Sequence, residues 1–201
     1  IMNYGSIRTH FKALLNRSDI TDSLANTFIE QGITRIQRSL RVPSMEKKIN
    51  YGFSSETTRI NLPCDFLEAI DLYYDHTAMT RLPMAEMAAI KQGNEVGTPA
   101  YFAREQGALL VYPHPASGEI TLNYYATFTP MVADADESIL AATASDLIIY
   151  SALTYAADYY LDERSPVFTD KYLGFMTEIQ EQANDEETSG TLQSIRPAYN
   201  L

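Results

Sequence analysis

Residues 147–163 read LIIYSALTYAADYYLDE, and this stretch decides the fold class. Its apolar residues lie around much of a helix circumference, so the helix has to be covered on more than one side. Thr143 and Asp146 have the spacing of a capping box ahead of it. The run is interrupted by polar residues and is shorter than the ~20 residues that span a bilayer. We therefore predict the central helix of a bundle and no membrane segment.

Helical patterns occur at both ends of the chain. Ser6 is the expected N-cap of a short first helix, and residues 24–40 carry apolar side chains at helical spacing up to the break at Pro43. A further helix follows the central one, opened by Ser165 and Pro166. Neither end buries enough surface alone, so we expect the two ends to pack together.

The middle third of the chain has strand patterns. Apolar and polar residues alternate there, and Pro or Gly separates the segments. Gln106 and Gly107 predict the turn of a hairpin. The expected strands cover residues 58–62, 66–74, 100–104, 108–112 and 119–127.

These patterns together predict an α+β fold. It consists of a helical bundle from N- and C-terminal helices, with an inserted small antiparallel β domain and an extended C-terminal tail. The expected bundle comprises residues 1–50 and 138–187. The β domain covers residues 51–137, and the tail covers residues 188–201.

The net charge of −11 is unevenly distributed. Residues 1–50 hold +4, residues 51–130 hold −5 and residues 131–201 hold −10. An acidic chain is a poor candidate for wrapping DNA through its phosphates. The simplest interpretation is solubility, and the alternative is that the acidic part faces something that must not adhere.

No sequence pattern for catalysis or for nucleotide binding is present. Cys64 is the single cysteine, which excludes an intrachain disulfide and a cysteine-based zinc site. Asp134, Asp136 and Glu137 lack the glycine-containing loop of a calcium site. We expect no enzymatic activity, no cofactor and no metal ion. The low cysteine content is consistent with synthesis in a reducing host cytoplasm.

A basic cluster lies at the end of the second predicted helix. Arg35, Arg38 and Arg41, followed by Lys47 and Lys48, could contact nucleic acid, dock on the acidic half of a neighbouring subunit or remain solvated. The strongly acidic remainder of the chain favours subunit pairing or solvation.

Carboxylates lie at the end of the central helix. Asp158 and Asp162, with Glu163, fit a solvated helix end, and the first two are also candidates for an inter-subunit contact.

Five segments in this order resemble the head-to-tail adaptor, or connector, proteins of tailed bacteriophages, especially those of short-tailed phages. The resemblance spans residues 4 to about 180. The matching segments are FIEQGITRIQRSLRVPSME at 28–46, LPCDFLEAIDLYYD at 62–75, GTPAYFAREQGALLVYPHP at 97–115, ITLNYYATF at 120–128 and the central helix at 147–163.

The resemblance implies a structural protein of the virion neck. It implies a homo-oligomeric ring of about a dozen copies, a dodecamer, that lies under the portal protein and extends the channel for DNA ejection. Genomic DNA would pass without specific binding, and tail or nozzle proteins would attach below. In related adaptors a C-terminal segment docks on the portal; the corresponding candidates here are Leu192, Ile195, Arg196, Pro197, Tyr199 and Leu201.

Three other functions remain open from the sequence. A gatekeeper or stopper of the neck or tail tube has a related architecture. A DNA-binding protein would use residues 35–48 and would lose affinity steeply with salt. An enzyme is the third alternative, although the sequence shows no recognisable nucleophile–base pair or metal-ligand cluster.

Overall fold

The computed structural model describes residues 2–54, 59–91, 93 and 95–188. These residues contain helices and two β-sheets, which confirms the predicted α+β class. The chain divides into two compact units. A helical unit comprises residues 1–44 and 128–201, and a β unit comprises residues 45–127.

The helices of the described residues are α1 (Tyr4–Leu15), α2 (Asp22–Ser39), α3 (Met84–Ile90), α4 (Ile139–Thr143), α5 (Ser145–Tyr159) and α6 (Ser165–Thr188). The strands are β1 (Glu46–Ser54), β2 (Arg59–Asn61), β3 (Phe66–Tyr74), β4 (Thr77–Ala78), β5 (Thr80–Arg81), β6 (Tyr101–Glu105), β7 (Ala108–Tyr112) and β8 (Ser117–Ala126). Among these helices, only α3 lies in the β unit.

Helix α5 is the centre of the helical unit and packs against α1, α2 and α6. Its apolar residues are buried around most of the circumference, as the sequence predicted. Ser151 of α5 donates a hydrogen bond from Oγ to the carbonyl of Gly32 in α2 at 3.1 Å. Phe28, near the start of α2, contacts the ring of Tyr159 at the end of α5. The two helices therefore run antiparallel.

Two predicted helix starts are wrong. The N-cap of α1 is Asn3, whose side chain accepts a hydrogen bond from the Ser6 amide, so Ser6 lies inside the first turn. Thr143 caps no helix, because its hydroxyl donates back to Ile139 within α4. Ser138 caps this short extra helix ahead of α5. Several residues able to cap a helix occur close together at both places, so the sequence alone does not single out the one that is used.

The β unit contains two four-stranded sheets, ordered β1-β8-β3-β4 and β2-β7-β6-β5. All strand pairs are antiparallel except β5 with β6. Glu105 pairs with Ala108, which confirms the predicted hairpin. Along β8 the residues Ile120, Leu122 and Tyr124 are buried in alternation. These side chains join the apolar core of the unit.

Candidate assembly surfaces

Arg35 is half-buried and makes its contacts within the helical unit. Its guanidinium donates from Nη1 to the Thr154 hydroxyl at 3.0 Å. The same group lies 4.3 Å from the centre of the Tyr172 ring. Arg35 thus joins α2 to α5 and α6, and burial is the main cause that raises the Tyr172 pKa. This predicted inter-subunit residue has partners within its own chain.

Arg41 closes the C-terminal end of α2. Its guanidinium donates from Nη1 to the carbonyls of Gln37 and Leu40, at 3.0 and 2.7 Å. Its backbone N–H donates to the side chain of Gln180 in α6, and its carbonyl accepts from the same side chain. A cation at this position also suits the helix dipole. Arg41 therefore stabilises the end of α2.

Arg38 and Asp158 are the exposed members of the predicted inter-subunit set. Within the part of the chain that the structure describes, the Arg38 guanidinium has no ion-pair partner. Because α2 and α5 are antiparallel, Arg38 and Asp158 lie toward opposite ends of this helix pair. The structure therefore does not bring the two groups together within one chain, and a contact between them requires two copies.

Asp162 forms an ion pair with Arg164 at 2.6 Å. The hydrogen bonds from the Arg164 side chain and backbone lower the Asp162 pKa to about 2. Arg164 also donates to the carbonyls of Leu14 and Leu15 at 3.2 and 2.8 Å. It thereby ties the end of α1 to the start of α6. Sequence reasoning missed Arg164, although its position two residues after Asp162 is a usable signal.

The turn between α5 and α6 has an unusual backbone conformation at Leu161, where φ is +53°. The Leu161 amide donates to the Asp158 carbonyl, and the Asp162 amide donates to the Ala157 carbonyl. These two bonds form a Schellman motif, in which glycine usually occupies the left-handed position. We refer to residues 158–163 as the exposed turn.

One large apolar side chain of the exposed turn faces solvent almost completely: Leu161 is 89% exposed. Tyr159 is 62% exposed, although its ring contacts Phe28 and Tyr160. Tyr160 lies beneath the guanidinium of Arg17 at 4.1 Å from its ring centre. Arg17 in turn forms two 2.9 Å hydrogen bonds with Asp19. The turn is therefore held firmly while Leu161 remains uncovered.

The β unit has a small pocket of about 170 Å³ beside β3, β6 and β7. Phe102 and Leu109, both buried, form part of its floor. Arg81 and Arg104 are exposed and line it, and the Arg104 guanidinium lies 5.5 Å from the ring centre of Phe66. Glu68, which also lines the pocket, is the acidic member. We refer to this feature as the arginine pocket.

A second concave surface covers the polar face of the sheet that contains β1, β8 and β3. Asn50 accepts a hydrogen bond from Thr121, and Asn123 donates one to Asp71. Lys48, His76 and two carboxylates share this surface. Such a self-paired polar face is ordinary for the solvent side of an antiparallel sheet.

Over residues 2–54, 59–91, 93 and 95–188, no group of three or more His, Cys, Asp or Glu side chains could hold a metal ion. In the same described ranges, no helix is long and apolar enough to cross a membrane. Cys64 is exposed. The predicted portal-docking residues 192–201 lie outside the described residues.

Comparison with protein families shows a match across nearly the whole chain. Residues 2–196 match the family model described as SU10 adaptor protein. A comparison with curated proteins found no match. The match covers the whole β unit, most of the helical unit and all five segments on which the resemblance to phage adaptors rests.

Proposed function

The chain belongs to the SU10 adaptor protein family, and on this premise we propose that it is the head-to-tail adaptor subunit in the neck of a tailed bacteriophage. The observation that carries this proposal is the family match over residues 2–196. The protein is therefore a structural bacteriophage adaptor rather than a member of an enzyme family. The protein is synthesised in the host cytoplasm and becomes part of the virion at the head–tail interface.

In this proposal about a dozen copies form a closed ring under the portal protein and continue its DNA channel. Genomic DNA passes through the ring without specific binding. The charge of −10 over residues 131–201 supports such a channel, since a conduit should repel phosphate weakly. Glu178, Glu181 and Asp185 are exposed along α6 and are candidates for this acidic surface.

The two ends of the ring have different proposed partners. Residues 188–201 are the proposed tail, and within it Leu192, Ile195, Arg196, Pro197, Tyr199 and Leu201 are proposed to dock on the portal. Arg and Tyr are frequent anchors in protein interfaces. Tail or nozzle proteins attach at the opposite end. The division into a bundle of residues 1–50 and 138–187, a β domain of residues 51–137 and this tail stays a prediction.

The proposal is tested by co-sedimentation with the cognate portal ring. The full chain is compared with a version that ends at Gly190, which removes all six proposed docking residues. We expect stoichiometric binding of the full chain and no binding of the truncated one. A full-length version with alanine at Arg196 and Tyr199 tests the two proposed anchors at unchanged chain length and is expected to bind more weakly than the full chain.

The other outcomes of this experiment separate the alternatives. Binding that survives truncation would keep the adaptor function and move the portal contact to the helical unit. Failure of every version to bind would favour a gatekeeper or stopper further along the neck. Duplex DNA binding that falls steeply with salt would instead support a nucleic-acid function for residues 35–48.

A further inference from the structure

We infer that the exposed turn of one copy inserts into the arginine pocket of the β unit of a second copy of this chain. This inference rests on the proposed function, because it supplies a contact between subunits of the ring. It assigns complementary roles to two surfaces that lie in different units of the chain. A contact between unlike surfaces is heterologous, which is the type that closes a ring.

The conformation of Leu161 is costly for the isolated chain. Among the described residues with positive φ that are not glycine, the others are Asn, Asp, His and Gln, at Asn16, Asp75, His76 and Gln106. Asn, Asp and His are enriched in this left-handed region, whereas a bulky aliphatic residue there is an outlier. Leu161 combines this strain with nearly full exposure of an apolar side chain. Strained residues of this kind cluster at binding sites.

The surroundings of Leu161 fix its position in advance of binding. The Schellman hydrogen bonds hold the backbone on one side of the turn. Arg164, through Asp162 and the carbonyl of Leu15, holds the other side. An apolar anchor on such a rigid support loses little conformational freedom when it binds. The turn is therefore pre-organised to present Leu161.

The arginine pocket fits this anchor in size and polarity. Its volume of about 170 Å³ is similar to the ~150 Å³ engineered cavity that accommodates benzene. Phe66 and Leu67 are half-buried beside the buried floor of Phe102 and Leu109, so an aliphatic side chain would cover apolar surface. One leucine side chain is therefore a suitable occupant.

Charge complementarity indicates that the occupant is this chain. Asp162 is paired with Arg164, which leaves the exposed carboxylates of Asp158 and Glu163 on either side of Leu161. The pocket presents two exposed guanidiniums, on Arg81 and Arg104, against the single carboxylate of Glu68. In the proposed contact, acidic side chains around an apolar anchor meet basic side chains around an apolar pocket. This charge complementarity favours the pairing of the exposed turn with the arginine pocket.

The first test is Leu161→Asn, which separates folding from assembly. Asn tolerates the left-handed conformation, so the free subunit is expected to unfold at the wild-type temperature or above it. The subunit concentration needed for assembly on the cognate portal ring is expected to rise at least about ten-fold over the wild type, because one interface anchor is lost. Val132→Asn is the matched control, because Val132 is 80% exposed elsewhere in the helical unit.

The second test maps the contact with single cysteines. In a Cys64→Ser background, chains with Glu163→Cys are mixed with chains that carry Arg104→Cys. A disulfide-linked dimer that forms in the mixture, and not with either chain alone, is expected. A mixture of Val132→Cys with Arg104→Cys is the control and should remain uncrosslinked. Both mixtures are measured with the portal ring and as concentrated chain alone.

The outcomes distinguish the inference from the proposed function. The inference would be overturned if Leu161→Asn assembled as well as the wild type, or if the 163–104 crosslink were absent in both conditions. Portal binding by the wild type would still support the adaptor function in that case. A 163–104 crosslink without any portal binding would support the contact and overturn the proposed place in the neck. The crosslink together with portal binding would support both.

Discussion

Gly32 of α2 lies against the backbone of α5 at Ala152, and a Cβ on residue 32 would be 2.9 Å from the Ala152 amide nitrogen. The glycine permits the close crossing of the two helices that also brings Ser151 to the Gly32 carbonyl. The contact involves backbone atoms on both sides, so neither helix can yield by a side-chain rotation. Close packing of α2 on the central helix therefore depends on this residue.

We predict that Gly32→Ala destabilises the helical unit by roughly 1–3 kcal/mol, the usual cost of overpacking a core. Gly174→Ala in α6 is the matched control, because nothing lies within 4 Å of a Cβ there. That control should be stabilised by about 1 kcal/mol through its helix propensity. Urea denaturation of both variants gives the comparison. Equal shifts of the same sign would contradict the proposed crossing.

The ion pair between Asp162 and Arg164 predicts a pH dependence of stability. Because the folded-state pKa of Asp162 is about 2, below the ordinary value of 3.8, its contribution is complete above pH 4 and is lost as the pH falls toward 2. We therefore predict that Asp162→Asn lowers the unfolding temperature at pH 7. The difference in unfolding temperature from the wild type should narrow as the pH falls from 4 to 3.

Circular dichroism melting curves at pH 7, 4 and 3 measure this effect. Asp158→Asn, on the same exposed turn, is the control for loss of one negative charge. If both variants showed the same difference from the wild type at all three pH values, the Asp162–Arg164 pair would have no special role.

The hydrogen bond between Tyr124 and Asp65 in the β unit predicts a loss of stability at alkaline pH, whereas the Asp162–Arg164 pair predicts one at acidic pH. Burial and the hydrogen bond to Asp65 raise the pKa of Tyr124 to about 12. The folded state therefore holds the phenolic proton more tightly, and the contribution of Tyr124 is complete below pH 10 and lost as the pH rises toward 12. Asp65 also forms a 2.6 Å ion pair with Lys47, so the hydroxyl belongs to a short polar network.

We predict that wild-type stability falls more steeply between pH 10 and 11.5 than that of Tyr124→Phe. The variant keeps Lys47, so the titration of that lysine affects both proteins alike. Urea midpoints at pH 8, 10 and 11.5 provide the measurement, with Tyr125→Phe, the neighbouring residue on the other face of β8, as the control. Parallel pH profiles for the wild type and Tyr124→Phe would refute the prediction.

The sequence predicted most of the fold because its periodic patterns are long. The apolar run at 147–161 and the alternation at Ile120, Leu122 and Tyr124 each follow one period over several residues. Strand β1 was missed, because Glu46–Ser54 begins with charged residues and its first seven residues are exposed or half-buried. That strand lies at the sheet edge and is specified by its pairing with β8 rather than by its own pattern.

The candidate surfaces were harder to predict from the sequence than the fold. Charge clustering identified Arg35 and Arg41, but local sequence cannot show that Thr154, Tyr172 and Gln180 engage them from distant segments. The left-handed conformation of Leu161 was equally hidden, since leucine gives no turn signal. Leu161 lies between the end of α5 at Tyr159 and Arg164, which donates to α1 at the carbonyl of Leu15.

Charge reversal at two arginines of α2 should have different consequences. Arg35→Glu removes the hydrogen bond to Thr154 and the contact with the Tyr172 ring. We therefore expect a loss of roughly 1–3 kcal/mol in the free energy of unfolding, as for a broken internal network. Arg38→Glu changes an exposed side chain and should leave that free energy within about 0.5 kcal/mol.

The predicted inter-subunit role of Arg38 concerns assembly instead. If Arg38 meets an acidic surface of the neighbouring copy, Arg38→Glu should reduce co-sedimentation with the portal ring, most strongly at low salt, where exposed charges are least screened. Lys91→Glu, an exposed residue of the β unit with the same change in charge, is the matched control. Equal assembly of Arg38→Glu and Lys91→Glu across the salt series would exclude Arg38 from the interface. A defect specific to Arg38→Glu, in a subunit of unchanged stability, would place the basic end of α2 at the contact between copies.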